Sequence, residues 1–198
     1  HHVNRARAQE DYSAVGRVGV DETSSRRGQR YVTLFHDADA RRLLFATPGR
    51  NAATFKAFAD DLKAHGGDAR AISDVSLDMS KAFMAGAATH CPQARLTFDP
   101  FHVVALASQA LDQVRRAEVK AEPDLKGTRW ALQKDARRWN DEQVCTMHWL
   151  QRSHLKTARA WRLKEALRDL YAARPASQEA GPLLDRWISW ARRRRLPA

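Results

Sequence analysis

Only two of the 198 residues are cysteine, Cys91 and Cys145. Two thiols cannot build a disulfide framework, and neither stands in a Cys-x-x-Cys pair. His90-Cys91 has no second pair at ligand spacing, which argues against zinc. This cysteine usage fits a reducing, cytoplasmic compartment. No apolar run approaches the roughly 18 residues of a membrane helix. The N-terminal stretch HHVNRARAQEDYSAV has no apolar core of the signal-peptide kind. There is no glycine-rich phosphate loop, which speaks against nucleotide hydrolysis. There is no Gly-x-Ser-x-Gly, which speaks against a serine hydrolase. Internal repeats and low-complexity linkers are also missing, and no small-molecule substrate is indicated.

Basic charge is plentiful and unevenly placed. The formal net charge is +11. Residues 1–102 hold 14 Lys and Arg against 12 Asp and Glu, whereas residues 103–198 hold 20 against 11. An excess of this size points to a polyanion such as nucleic acid. Arg192, Arg193, Arg194 and Arg195 form the densest run, followed by Arg137 and Arg138. These are the candidate DNA-phosphate contacts, because a guanidinium can hold phosphate in a bidentate way. All seven Phe precede residue 102 and all six Trp follow residue 129, so the architecture is expected to change near residue 102.

The first half reads as mixed α and β. Strands are expected at Val15–Val20 ending on Asp21, at 29–36, at 42–47, at 71–77 and at 95–98. Asp37-Ala-Asp-Ala40 is a turn, and Asn51 caps a helix carrying Phe55, Phe58 and Leu62. A shorter helix, 79–88, follows Asp78. The expected order is therefore β-β-β-α-β-α-β, the ribonuclease H-like order, in the α/β (α+β) class. The second half shows only helical stripes, around 103–117, 128–139, 141–152, 158–172 and 183–191. Its Trp residues are expected in the core of a helical bundle.

Three acids stand out by position: Asp21 after strand one, Asp78 after strand four and Asp99 after strand five. Carboxylates on neighbouring strand ends suit metal-assisted phosphoryl transfer, in which two Mg²⁺ ions about 3.5–4 Å apart serve nucleophile and leaving group. Each Asp taken alone is better read as a turn former or helix cap, Asp78 as the N-cap of the helix that follows it. Asp74 is a weaker rival to Asp78, and Glu22 should face away from Asp21.

The motifs Val20-Asp-Glu-Thr23, Tyr31-Val-Thr33, Gly49-Arg50, Val75-Ser-Leu-Asp-Met-Ser80, Asp99-Pro-Phe-His-Val103, Ala110-Leu-Asp-Gln-Val-Arg-Arg116 and Leu125-Lys-Gly-Thr-Arg129 follow one another in order. Together they resemble the DDE transposases of bacterial insertion sequences, in particular the ISL-three family, from about residue 14 onward. The resemblance implies that Asp21 and Asp78 are the first and second catalytic, metal-holding acids, with Asp99 a further candidate ligand. It implies Mg²⁺ or Mn²⁺ as cofactor, DNA as partner at transposon ends and target, self-association, and a place in the bacterial cytoplasm on the nucleoid. It implies a division into a linker remnant, 1–13, a partial catalytic core, 14–102, and a helical insertion, 103–198. His102 also matches the pattern, with a local structural role expected.

The family's third acid, a Glu, lies beyond that insertion, and its DNA-binding region precedes the core. The chain is thus expected to be an internal fragment, inactive alone. Asp112 and Glu118 remain alternative third acids. A non-catalytic nucleic-acid-binding or assembly module, working through the basic helical half, is the alternative function.

Overall fold

A five-stranded mixed sheet organises the first half, in the order β3-β2-β1-β4-β5. In the computed structural model, residues 7, 9–26 and 30–196 are described. The His1-His2 pair and most of the expected linker 1–13 lie outside them. The chain divides into two compact units, His1–His102 and Val103–Ala198.

In the sheet unit, β1 (Arg17–Arg26) pairs antiparallel with β2 (Arg30–Asp37), which pairs antiparallel with β3 (Arg42–Pro48). Asp37 Oδ1 closes the β2–β3 turn by accepting from the backbone N–H groups of Asp39 and Ala40. After helix α1 (Ala52–Ala64), the strand β4 (Asp74–Leu77) pairs parallel with β1. After helix α2 (Lys81–His90), β5 (Arg95–Phe98) pairs parallel with β4. The element order matches that expected from the sequence, and the architecture is α+β.

One face of this sheet is the core. Val18 and Val20 of β1, Phe35 of β2, and Val75 and Leu77 of β4 are buried there with Phe55, Phe58 and Leu62 of α1 and Phe83 of α2. Phe35 stacks on Phe58 at 4.3 Å and meets Phe55 edge-on at 5.1 Å, an arrangement that adds quadrupole attraction to area burial. Asn51 caps α1 through its side chain, which accepts from the Ala53 N–H. Gly86 lets α2 lie against this core, since a Cβ there would stand 2.6 Å from the Phe55 ring.

Several boundaries differ from expectation. β1 continues past Asp21 to Arg26, because β2 supplies ladder partners for Glu22, Thr23 and Ser24. β4 starts at Asp74, since Ala69–Ala71 is a 3₁₀ turn capped by Asp68. α2 starts at Lys81 with Ser80 as its N-cap, so Asp78 does not cap it. The stretch 1–13 is not free linker throughout: Tyr12 is buried in the sheet unit's core, and Arg7 pairs with Asp61 at 2.6 Å.

The helical unit is made from α3 (Pro100–Glu118, which begins in the sheet unit), α4 (Arg129–Gln133), α5 (Asp141–Arg152), α6 (Lys156–Ala173) and α7 (Ser177–Arg193). Leu111, Val114, Leu125, Leu132, Met147, Leu150 and Ala158 form its core. The helix expected over 128–139 is broken. It ends at Gln133, and Asp135 then caps a 3₁₀ turn by accepting from the Arg137 N–H. Asn140 and Gln143 form a capping box that starts α5. The expectation of tryptophan core fails in part, because none of the six is fully buried and Trp130 is 62% exposed. No helix among the described residues is long and apolar enough to cross a membrane.

Candidate active site

β1, β4 and β5 run parallel, so their C-terminal ends share one edge of the sheet. Gly19 pairs with Ser76, and Leu77 pairs with Phe98. Carried two residues past Gly19–Ser76, this register brings Asp21 level with Asp78. Carried one residue past Leu77–Phe98, it brings Asp78 level with Asp99. The ladder extends that far on the β4–β5 side, where the Asp99 N–H donates to the Leu77 carbonyl at 3.2 Å.

Paired residues in parallel strands point the same way, and successive residues alternate. Asp21 therefore shares the side of Gly19, opposite the buried Val18 and Val20. Asp21 is not at the end of β1, as expected, but where the pairing of β1 with β4 has run out.

Each of these acids is oriented by one backbone donor. Asp21 Oδ1 accepts from the Glu22 N–H at 2.7 Å, Asp78 Oδ1 from the Ser80 N–H at 2.8 Å, and Asp99 Oδ1 from the Phe101 N–H at 2.8 Å. Asp21 is exposed, and the other two are half-buried. Among the described residues no three or more His, Cys, Asp or Glu gather closely enough to hold a metal ion. Asp21, Asp78 and Asp99 do not by themselves make a three-carboxylate centre. Asp21 within β1 and Asp78 just past β4 are hard oxygen donors of the kind Mg²⁺ accepts, and two such donors leave most of its octahedral shell to water or to other ligands.

The rivals have other work. Asp74 stands at the opposite end of β4, where Ser73 and Arg95 hydrogen-bond to it and hold its carboxyl below the usual range. Glu22 faces Arg50 at 3.7 Å. Asp112 is buried, and its carboxylate meets Arg115 and Arg116 at 2.8 Å each and Arg129 at 3.9 Å. Burial opposes its charge, but the Arg115 hydrogen bond and the guanidinium charges prevail and hold its carboxyl low.

Glu118 accepts from the backbone N–H groups of Lys156 and Thr157 at 2.8 Å each, which caps the start of α6. Burial again opposes charge, and those two backbone bonds outweigh it. Sequence reasoning missed this cap because its two halves are 38 residues apart. His102 donates its backbone N–H to the Asp99 carbonyl and lies edge-on to Phe101. Cys91 is buried, which pushes its thiol up to about 11 and leaves it protonated and unsuited to metal.

The candidate phosphate contacts are all in the helical unit and all exposed. Arg192 and Arg193 close α7, Arg194 lies over the Trp190 ring at 5.4 Å, and Arg195 follows in a left-handed conformation. Arg137 and Arg138 occupy the 3₁₀ turn before α5.

Residues 18–198 match a family model described as a transposase, of the ISL-three type. The transposase for insertion sequence element IS1557 of Mycobacterium tuberculosis is 35% identical over 214 residues, which cover 94% of this chain and 47% of the relative. The transposase for insertion sequence element IS1001 of Bordetella parapertussis is 30% identical over 175 residues, covering 84% of this chain and 43% of the relative. The chain thus spans about half the length of the curated relatives it matches.

Proposed function

From the premise that this chain belongs to the ISL-three family of insertion-sequence transposases, we propose that it carries the first two carboxylates of a metal-dependent DNA strand-cleavage and strand-transfer reaction. The sheet is read as ribonuclease H-like, supported by its 3-2-1-4-5 order and by the parallel β1-β4-β5 half. The observation that supports the proposal is the register of those strands, which, carried two residues past Gly19–Ser76, brings Asp21 level with Asp78.

Asp21 and Asp78 would hold the divalent cation, Mg²⁺ or Mn²⁺, with Asp99 a candidate further ligand. The cation would activate the attacking oxygen and stabilise the leaving one. The backbone N–H groups of Glu22 and Ser80 fix one oxygen of each acid and aim the other. The engagement of Asp112 with arginines and of Glu118 with α6 argues against either as the third acid. A longer transposase containing this chain would supply its Glu from outside residues 1–198, and the chain alone would be inactive. The protein would act in the bacterial cytoplasm, at the nucleoid when on DNA, and self-associate in that longer form.

A second reading, a non-catalytic DNA-binding module, is favoured by the lack of a three-ligand cluster among the described residues and by the exposed arginines of the helical unit.

Purified residues 1–198 are expected to bind DNA and to leave supercoiled plasmid intact in Mg²⁺ or Mn²⁺. Metal-dependent nicking abolished by Asp21→Ala would contradict the inactivity and reopen Asp112 and Glu118.

A further inference from the structure

Trp130 departs furthest from the expected tryptophan core. It sits on the short helix α4, 62% exposed, just after a turn in which Gly127 takes a positive φ and Leu125 is buried. The surroundings of its indole are cationic. The Arg129 guanidinium lies over the Trp130 ring at 5.2 Å and reaches Asp112 at 3.9 Å. Asp112 also holds Arg116, whose side chain is 66% exposed, and Arg115, which is 12% exposed. One buried carboxylate thus anchors three guanidiniums, of which two face solvent, and one of those two, Arg129, lies over the exposed Trp130 ring. The cluster carries a formal excess of two positive charges.

An exposed indole with a guanidinium over one ring face, tied to a cluster of net positive charge, suits a ligand that is flat and apolar at one point and anionic on either side. We propose that Trp130, with Arg116 and Arg129, is a stacking site for an unpaired base of single-stranded DNA. The base lies on the indole, and the flanking phosphates meet the two exposed guanidiniums. Duplex DNA keeps its bases stacked on one another and offers only phosphates here. Asp112 takes a positioning role, holding the arginines in place. This inference rests on the DNA-binding part of the function proposed above and adds a preference for single strands.

The test uses residues 1–198, a fluorescent 20-nucleotide oligothymidine and a 20-base-pair duplex, read by anisotropy at two salt concentrations. Base–aromatic stacking of about 1–3 kcal/mol corresponds to roughly 5- to 150-fold in affinity. Trp130→Ala is expected to weaken oligothymidine binding by about tenfold or more, with an unchanged salt slope and unchanged duplex affinity. Trp130→Phe, which keeps an aromatic face, should retain most of the affinity and guards against a folding artefact. Arg116→Gln should flatten the single-strand log–log salt slope by roughly 0.7.

Duplex binding together with equal oligothymidine affinity for native protein and Trp130→Ala would overturn this inference alone. No binding to either DNA would overturn it together with the DNA-binding proposal. A dimer converted to monomer by Trp130→Ala, with DNA affinity unchanged, would assign the surface to a second copy and overturn it as well.

Discussion

In the sheet unit Asp21, Asp78 and Asp99 each accept a single backbone N–H, and 14 basic residues nearly balance 12 acidic ones. In the helical unit 20 basic residues face 11 acidic ones, and the acids withdrawn from solvent are bound into structure, Asp112 buried and Glu118 and Glu165 half-buried. Asp112 gathers three arginines, Glu118 caps α6, and Glu165 pairs with both Arg168 and the buried Lys164. The difference concerns availability. An acid whose oxygens are all engaged holds a fold together. An acid fixed through one oxygen on the sheet keeps the other for a ligand. Exposed arginines occur in both units, but the clustered ones, 137, 138 and 192–195, belong to the helical unit.

The contrast can be broken by changing what holds each unit. Phe35→Ala removes the ring that Phe58 and Phe55 pack against, and should cost about 3–5 kcal/mol in urea unfolding followed by sheet-sensitive circular dichroism. Gly86→Ala pushes a methyl into the buried Phe55 ring, with an expected loss of about 1–3 kcal/mol by the same measurement.

Glu118→Gln weakens the cap on α6 and should cost about 1 kcal/mol. Its folded-state carboxyl lies below the ordinary range, so its stabilisation is present above the unfolded value and is lost as pH falls through the folded one. Native protein should lose helical stability on acidification, and Glu118→Gln should show a flatter acid limb in thermal melts between neutral and acidic pH.

Asp21→Asn should have the smallest effect on stability, within about 0.5 kcal/mol, because the residue is exposed and anchors nothing but the Glu22 N–H. On the DNA side, replacing Arg192, Arg193, Arg194 and Arg195 by Gln should flatten the log–log salt slope for duplex binding by up to about 0.9 per lost contact. An unchanged slope would remove the end of α7 from the DNA surface.

How legible all this was in the sequence depended on how local the cause was. β5 at Arg95–Phe98 and α5 at Asp141–Arg152 lie where the residue pattern put them, since alternation and a capping box are local signals. The far half of β1 was not legible. Glu22-Thr-Ser-Ser reads as polar loop, and only the β2 ladder makes it strand. Asp21 therefore lies within β1 and not at its end, where the sequence placed it. The break after Gln133 follows from the Asp135 turn, a one-residue preference that outweighed the apolar stripe. The exposure of Trp130 and the capping of α6 by Glu118 depend on residues far apart in the chain, and no window of sequence contains them.

Asp21 and Asp78 are proposed to hold a divalent cation jointly, where the pairing of β1 with β4 runs out. Mn²⁺ titrated into isotope-labelled protein tests this most directly, because a bound paramagnetic ion broadens nearby amide signals. Broadening is expected at Asp21, Glu22, Leu77, Asp78 and Ser80, spared at Asp74 at the other end of β4, and lost in the Asp21→Asn, Asp78→Asn double variant. Broadening centred on Asp74 or on Asp112, or unchanged in the double variant, would contradict it.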